Sequence, residues 1–341
     1  MITSELSKRQ RGEIEGYLTP KDADPFVFSK DLVYELRLIE FTQQILSWSN
    51  RLRPVLPKGP GGHPIEYSSA TILVTLLVMA VWQLSPEAMV KRLCRWNELA
   101  LACGYEPGHV ISSSQLRRRR DQLGIWVYFL TFCGLVGVLI RQGALLGRDW
   151  VIDSTLMDAF SRKDGQAGWS FSKRFGYKVH MLICRDSLLP IFFLLTPANR
   201  NDAPWAIPLM TIALRLFALP VEFVRADAAY FTKAILVFVR DVLQAIPIID
   251  FNPRKAGKRA LATPEWVAAY HRQRGKRGYI ERFFAVLKRY FRLNQLHGIG
   301  LYVAYRHAFE ICISVLLVAW CAHHYGRPDL THARSRLLAP C

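Results

Sequence analysis

Three acidic residues occupy positions from which their carboxylates could act together: Asp153, Asp227 and Glu281. Asp153 and Asp227 each follow a short apolar run that predicts a strand, and Glu281 opens a helix rich in Lys and Arg. Three carboxylates at one point repel one another unless cations bind, and such oxygen ligands suit Mg²⁺ or Mn²⁺. Two ions held in this way can activate an attacking hydroxyl and stabilise the leaving oxygen of a phosphodiester.

Basic residues accompany Glu281 along its predicted helix. At about 100° per residue, Lys288 lies about 20° and Arg277 about 40° from the face of Glu281. Eight basic residues and this one acid fall between positions 272 and 292. We interpret Lys288, Arg277 and Arg274 as DNA contacts, although an acid and a lysine on one helix face also fit a surface ion pair.

Four segments together resemble the DDE transposases of bacterial insertion sequences. They are Val-Ile-Asp-Ser-Thr at 151–155, Gly-Tyr-Lys-Val-His at 176–180, Ala-Asp-Ala-Ala-Tyr at 226–230 and Ile-Glu-Arg-Phe-Phe-Ala-Val-Leu-Lys at 280–288. The segment Thr-Pro-Ala-Asn-Arg-Asn-Asp at 196–202 is also similar to the family's Pro-x-Asn-x-x-Asp loop. Around the glutamate the family signature is Tyr-x2-Arg-x3-Glu-x6-Lys, and this chain carries Arg274 at the tyrosine position.

The resemblance implies a ribonuclease H-like catalytic domain in which Asp153, Asp227 and Glu281 are the catalytic and metal-binding residues. It implies two Mg²⁺ ions per site, with Mn²⁺ as a substitute, and cleavage of transposon ends followed by strand transfer into target DNA. Double-stranded DNA would be the partner, and the DNA complex would contain a homodimer or a larger oligomer. Two alternatives stay open: a domesticated, non-catalytic DNA-binding protein derived from a transposase, and a metal nuclease without strand transfer.

Beyond residue 147, short β-branched and aromatic runs predict a mixed α/β domain. Five strands are indicated, at 150–152, 177–184, 189–195, 221–224 and 246–249. A helical pattern at 231–243 separates the last two strands, which predicts parallel pairing. Two further helices are predicted at 279–293 and 304–322. We expect an N-terminal all-helical, DNA-binding region at 1–146, a catalytic domain at 147–326 and a frayed tail at 327–341.

The N-terminal region carries clear helix signals. A buried apolar helix is predicted at 69–82, and Ser85, Pro86 and Glu87 mark the start of the next one. Ser112 precedes a helix with four consecutive arginines, which fit either a DNA-phosphate contact or a solvated charged face. These arginines are Arg117, Arg118, Arg119 and Arg120.

Composition favours a polyanionic partner. The 45 Lys and Arg residues against 27 Asp and Glu give a net charge of +18 and a pI near 9.8. Apolar runs at 71–84, 127–140 and 311–322 are shorter than the roughly 18 residues of a membrane span, so we interpret them as buried helices. The N-terminus has no secretory signal pattern. We therefore expect a cytoplasmic, nucleoid-associated protein without a membrane segment.

Other polar residues near these segments have ordinary interpretations. Asp158 is predicted to lie in a loop, Asp250 at the end of the fifth strand and Asp202 in a turn that its side chain stabilises. His180, predicted to end a strand, is assigned a structural role or a DNA-backbone contact.

Overall fold

The computed structural model describes residues 67–250, 279–324 and 326–331. The chain divides into two compact units, one formed by residues up to Thr131 together with those from Ile313 onward, the other by Phe132–Cys312. Each unit is described by itself below.

The first unit is helical in its described part. Its helices are α1 (Ser69–Trp82), α2 (Pro86–Arg95), α3 (Asn97–Ala102), α4 (Ser113–Gln122) and the first turns of α5 (Ile125–Arg141). Ser85 caps α2 and Ser112 caps α4, which confirms the two helix starts that the sequence predicts. Ser112 also forms a reciprocal capping box with Gln115. A buried hydrogen bond of 2.9 Å from Thr75 to Tyr105 holds α1 against the segment after α3.

The second unit contains a six-stranded mixed sheet. The strands are β1 (Asp149–Asp158), β2 (Gly168–Trp169), β3 (Phe175–Cys184), β4 (Leu189–Pro197), β5 (Phe223–Ala226) and β6 (Ile246–Ile249). β3 pairs antiparallel with β1, β2 and β4, whereas β1, β5 and β6 run parallel. The predicted mixed α/β class is confirmed, but the count of five strands was wrong. β2 has only two residues, too few for a periodic pattern.

Helices flank this sheet. They are α6 (Ala203–Phe217), α7 (Lys233–Val237), α8 (Tyr279–Tyr290) and the longer α9 (Leu301–His324). α6 packs on β3 and β4, and α8 packs on β1. The single helix predicted at 231–243 is instead the short α7 followed by a π-helical turn, Phe238–Val242. The arrangement is consistent with a ribonuclease H-like domain.

A buried ion pair locks the parallel pairing of β1 with β5. Arg225 on β5 is 2% exposed and donates two hydrogen bonds of 2.7 Å to the carboxylate of Asp149 on β1. Arg185 approaches the same carboxylate at 3.3 Å. A charge taken out of water needs such a partner, so any slip of one strand against the other would leave a buried charge uncompensated.

The interior of the second unit is rich in aromatic side chains. Phe132 of α5 contacts Phe192 and Phe193 of β4 and Phe309 of α9, with ring centroids 5.8 to 6.1 Å apart. Edge-to-face pairs of this kind add to the free energy gained by burying the rings. This cluster fixes β4 between two helices, and β4 leads directly into the loop that carries Asp202.

Helix α9 is longer than the sequence pattern predicts. By length and composition its 24 residues could cross a membrane, and 72% of its most apolar 18-residue window is buried inside the protein. Two helix pairs, α1 with α2 and α4 with α5, meet the same criteria only if bends of 107° and 82° are ignored. The tail predicted to fray after Arg327 instead begins with a 3-10 turn, Pro328–Leu330, to which Thr331 is hydrogen-bonded.

Candidate active site

Asp153 and Asp227 occupy one row of the sheet. β1 and β5 pair with a constant offset, with Asp149 opposite Phe223 and Val151 opposite Arg225. Asp153 and Asp227 each lie two residues beyond the last pair of this register, Val151 with Arg225. The charges of both carboxylates act on the same buried hydroxyl, that of Tyr230, so the two acids lie near each other.

Each of these two acids also organises its own backbone. The Asp153 carboxylate accepts a hydrogen bond of 2.7 Å from the Ser154 N–H. The Asp227 carboxylate accepts one of 2.8 Å from Ala229 and so caps the short turn Ala228–Tyr230. Both side chains are half-buried, which leaves carboxylate oxygens accessible to a ligand.

The sequence placed Asp153 at the end of its strand, and this was wrong. β1 continues to Asp158 because its second half stays paired with β3, where Asp153 lies opposite Met181. What ends near Asp153 is the pairing with β5, whose last partner on β1 is Val151. Asp153 therefore lies where the neighbouring parallel strand separates from β1, a position open to the carboxyl ends of the parallel strands.

A second group of polar side chains lies on β3, which pairs with β1 on the side opposite β5. Lys178 contacts the Asp202 carboxylate at 3.0 Å and donates a hydrogen bond of 2.8 Å to the Arg200 carbonyl. His180 lies 3.5 Å from Asp202 through Nδ1 and 2.9 Å from the Thr196 hydroxyl through Nε2. The segment 176–180 thus holds the loop 196–202 in place, and the interpretation of Asp202 as only a self-stabilised turn was incomplete.

His180 is buried in this group, in the middle of β3 rather than at a strand end. Its side chain is 1% exposed and its ring stacks on Trp205 of α6, with centroids 5.9 Å apart. Burial lowers the pKa of His180 to about 4, and Lys178 adds to the lowering, while Asp202 opposes it. His180 is therefore neutral near pH 7 and acts as a structural element of the site.

Tyr230 joins the two groups. This side chain follows Asp227 by three residues and is 1% exposed. Burial and the negative charges of Asp202, Asp153 and Asp227 hold the pKa of Tyr230 well above its usual value. The three carboxylates thus act on one hydroxyl, which stays protonated. Segments that are far apart in the sequence converge at this point.

Glu281 lies on the first turn of α8, the helix that packs on β1, and its side chain is exposed. Lys288 lies near the other end of this helix and is half-buried. Burial and the nearby Arg174 lower the pKa of Lys288, while Asp158 opposes this shift. Asp158 was predicted to lie in a loop, but it ends β1 and forms a 2.6 Å ion pair with Arg174.

The donor set suits a hard divalent cation. Asp153, Asp227 and Asp202 offer oxygen ligands only, which Mg²⁺ and Mn²⁺ prefer over nitrogen and sulfur. Among the described residues, no three metal-binding side chains lie close enough together to hold an ion. Carboxylates repel one another without a cation between them. Within the described part of the chain, Glu281 forms no such cluster with Asp153 and Asp227.

The arginines predicted to contact DNA fall into two sets. Arg274 and Arg277 lie outside the described residues. On α4, Arg117 pairs with Glu87, Arg119 donates to the Tyr67 carbonyl, and Arg118 is exposed. Burial and the neighbouring Arg118 lower the pKa of Arg119. Arg120 is half-buried, so these four cations do not share one environment.

Asp250 extends the acidic row by one strand. The register of β5 with β6 pairs Ala226 with Ile249, and Asp250 donates its N–H to the Ala226 carbonyl at 3.2 Å. Asp227 and Asp250 therefore occupy successive strands of the row. Asp250 is two strands from Asp153, which places it about 10 Å away across the sheet.

The mixed sheet and its flanking helices are consistent with a ribonuclease H-like domain. The family model for the transposase DDE domain matches residues 147–317, half of the chain. The chain therefore belongs to the transposase DDE domain family. A search of curated proteins and of solved structures found no match.

Sequence reasoning missed Tyr230 and Lys178 as members of the site. Both lie inside segments that carried the family resemblance, which was the available signal. Their contacts depend on β3 lying beside β1 and on the turn after β5, and neither relation follows from spacing along the chain.

Proposed function

We propose that the chain is an active DNA transposase of an insertion sequence, which cuts transposon ends and joins the freed 3′-hydroxyl to target DNA. The observation that supports this most directly is that Asp153 and Asp227 each lie two residues beyond the last pair of the parallel strands β1 and β5. The family match supports DNA as the substrate. A domesticated protein would have no need to keep all three acids.

In this proposal Asp153, Asp227 and Glu281 hold two Mg²⁺ ions, for which Mn²⁺ can substitute. When bound, the ions supply activation of the attacking hydroxyl and stabilisation of the leaving oxygen. Tyr230 keeps its proton close to these carboxylates. Asp202 stays beside Lys178, so its charge is partly balanced when the other acids take up metal.

The proposed partners are the double-stranded transposon ends and target DNA. Lys288, Arg277, Arg274 and the exposed part of α4 would bind phosphates, and the complex would contain at least two copies of the chain. We assign α9 to the protein interior because it carries the buried residues Arg306 and Glu310, which are costly in a lipid bilayer. The protein would act on DNA in the cytoplasm.

The test uses a supercoiled plasmid that carries the gene with its flanking DNA. We expect the full chain with Mg²⁺ or Mn²⁺ to nick or linearise this plasmid at the element ends and to join them to a second plasmid. Ca²⁺ is expected to support binding with little cleavage, because it activates oxygen nucleophiles poorly. Activity in the presence of a chelator would contradict the proposal.

Asp153→Asn, Asp227→Asn and Glu281→Gln should each lower cleavage by about a thousandfold or more, a loss typical of a group acting in the transition state. DNA binding should change by less than about threefold, because each change keeps the side-chain size. Asp241→Asn and Glu222→Gln are matched controls at exposed positions. Cleavage without joining would favour the nuclease, and binding without cleavage would favour the domesticated protein.

A further inference from the structure

A hairpin of the second unit exposes aromatic rings among cations. Phe171, at the tip between β2 and β3, is 107% exposed, and Trp169 and Phe160 are 52% and 60% exposed. Single exposed apolar residues are common, but three exposed aromatic rings within twelve residues of sequence are not. Such a concentration of exposed apolar surface marks an interaction site. Arg162 lies over the Trp169 ring at 5.7 Å.

The tip is held in one conformation by its own hydrogen bonds. Ser170 and Arg174 form two hydrogen bonds. The Ser170 N–H donates to the Arg174 carbonyl at 2.7 Å, and the Arg174 N–H donates to the Ser170 side-chain oxygen at 3.0 Å. Lys173 takes a left-handed φ of 59°, which closes the turn. Phe171 is thus presented by an ordered hairpin, so little entropy is lost when a partner binds it.

Both sides of the hairpin base are anchored. Asp164, in the preceding loop, accepts hydrogen bonds from the Tyr177 hydroxyl at 2.7 Å and from the Gly300 N–H at 2.9 Å. Burial raises the pKa of Asp164, but these hydrogen bonds outweigh it and the net shift is downward. Gly176 permits the close approach of β3 to β1, because a Cβ there would collide with the Met157 carbonyl. The hairpin is a rigid projection from the sheet.

The charge of this segment specifies its partner. Between positions 160 and 175, Arg162, Lys163 and Lys173 are exposed cations, whereas Arg174 is paired with Asp158. The one acid in this segment, Asp164, is buried. Aromatic rings accompanied by cations bind nucleic acid by stacking on bases while the cations contact phosphates. A purely apolar protein partner would leave the three exposed cations without a role.

The hairpin also adjoins the strands that carry the candidate active site. It lies beyond Asp158 at the end of β1 and leads into β3. The charge of Arg174, at the base of the hairpin, contributes to lowering the pKa of Lys288. Asp158 lies five positions beyond Asp153 along β1, a length of roughly 16 Å, which corresponds to about five base-pair steps.

We propose that Phe171, with Trp169 and Phe160, stacks on bases exposed where the bound DNA duplex is locally unpaired. The inference rests on the proposed function only in taking DNA as the partner. It adds a site for unpaired bases that is separate from the carboxylates.

The test compares two fluorescein-labelled 30-base-pair duplexes, one fully paired and one with a central three-nucleotide bubble containing 2-aminopurine. In Ca²⁺ the wild-type chain should bind the bubble at least about fivefold more tightly and change the 2-aminopurine fluorescence. Phe171→Ala should abolish this preference while binding of the paired duplex stays within about twofold. Phe171→Tyr should retain the preference, and Trp126→Ala, an exposed aromatic outside the hairpin, is the control.

Equal preference in Phe171→Ala and wild type, or no preference in either, would overturn the inference. So would a change from dimer to monomer in Phe171→Ala without DNA, measured by sedimentation, because the ring would then belong to a contact between copies. Plasmid cleavage by the wild type distinguishes the two proposals. A bubble preference without cleavage would refute the proposed function alone, and cleavage without a bubble preference would refute this inference alone.

Discussion

Strands β1 and β5 carry carboxylates at two positions along their length, here called levels. The charge is balanced at one level, and like charges come together at the other. At one level Asp149 is buried and matched by the guanidinium of Arg225. Asp153 and Asp227 lie two residues beyond the last pair of that register, and both carboxylates act on the Tyr230 hydroxyl. The first arrangement fixes the register with a satisfied charge, and the second concentrates like charge for a cation. One strand pair thus separates a stabilising function from a binding function.

The largest effect on stability is expected where the satisfied pair is broken. Asp149→Asn keeps the side-chain shape but leaves Arg225 buried without a counter-charge, so the free energy of unfolding should fall by about 3–5 kcal/mol. Urea denaturation measures this loss, and Asp241→Asn should stay within about 0.5 kcal/mol of wild type. A loss below about 1 kcal/mol for Asp149→Asn would show that the pair does not fix the strands.

A pH-dependent loss of stability is expected from His180. Its folded pKa of about 4 lies below the unfolded value near 6.5, so the unfolded chain binds the proton first as the pH falls. Stability from this group is present above pH 6.5 and is lost between 6.5 and 4, at up to about 1.4 kcal/mol per pH unit. His180→Gln should flatten this part of the curve, and parallel curves for both proteins would refute the assignment.

At the level of Asp153 and Asp227, removing one carboxylate should raise the free energy of unfolding slightly, in contrast to the loss expected for Asp149→Asn. Asp227→Asn removes one of two neighbouring carboxylates, so at low salt and pH 7 the variant should be as stable as wild type or more stable by about 0.5–1 kcal/mol. Thermal denaturation without divalent ions measures the difference. A loss above about 2 kcal/mol would mean that Asp227 serves mainly as the cap of its turn.

A substitution of Lys288 tests whether its positive charge on α8 binds DNA or only balances the negative charge of Asp158 at the end of β1. Lys288→Met retains much of the buried stem, and it should lower the salt slope of DNA binding by about one unit, the value for one lost phosphate contact. Fluorescence anisotropy at several salt concentrations provides the slope. An unchanged slope together with lower thermal stability would make Lys288 a structural partner of Asp158.

Local features of the fold could be predicted from the sequence, whereas features that depend on tertiary contacts could not. Ser85 and Ser112 were identified as helix caps because capping involves residues three apart. The end of β1 was misjudged because its second half is held by β3, whose paired residues are 18 to 26 positions away in the sequence. β2 was missed because a strand of two residues is too short to show an alternating pattern of apolar and polar side chains.

Cation binding distinguishes the two carboxylate levels most directly. Electron paramagnetic resonance of Mn²⁺, titrated into the DNA-free chain, reports free and bound ion separately. We predict saturable binding to wild type and to Asp241→Asn, with affinity at least about tenfold lower in Asp153→Asn and in Asp227→Asn. If both of these variants bind Mn²⁺ as wild type does, or if wild type binds none at millimolar Mn²⁺, the row of aspartates is not the metal site.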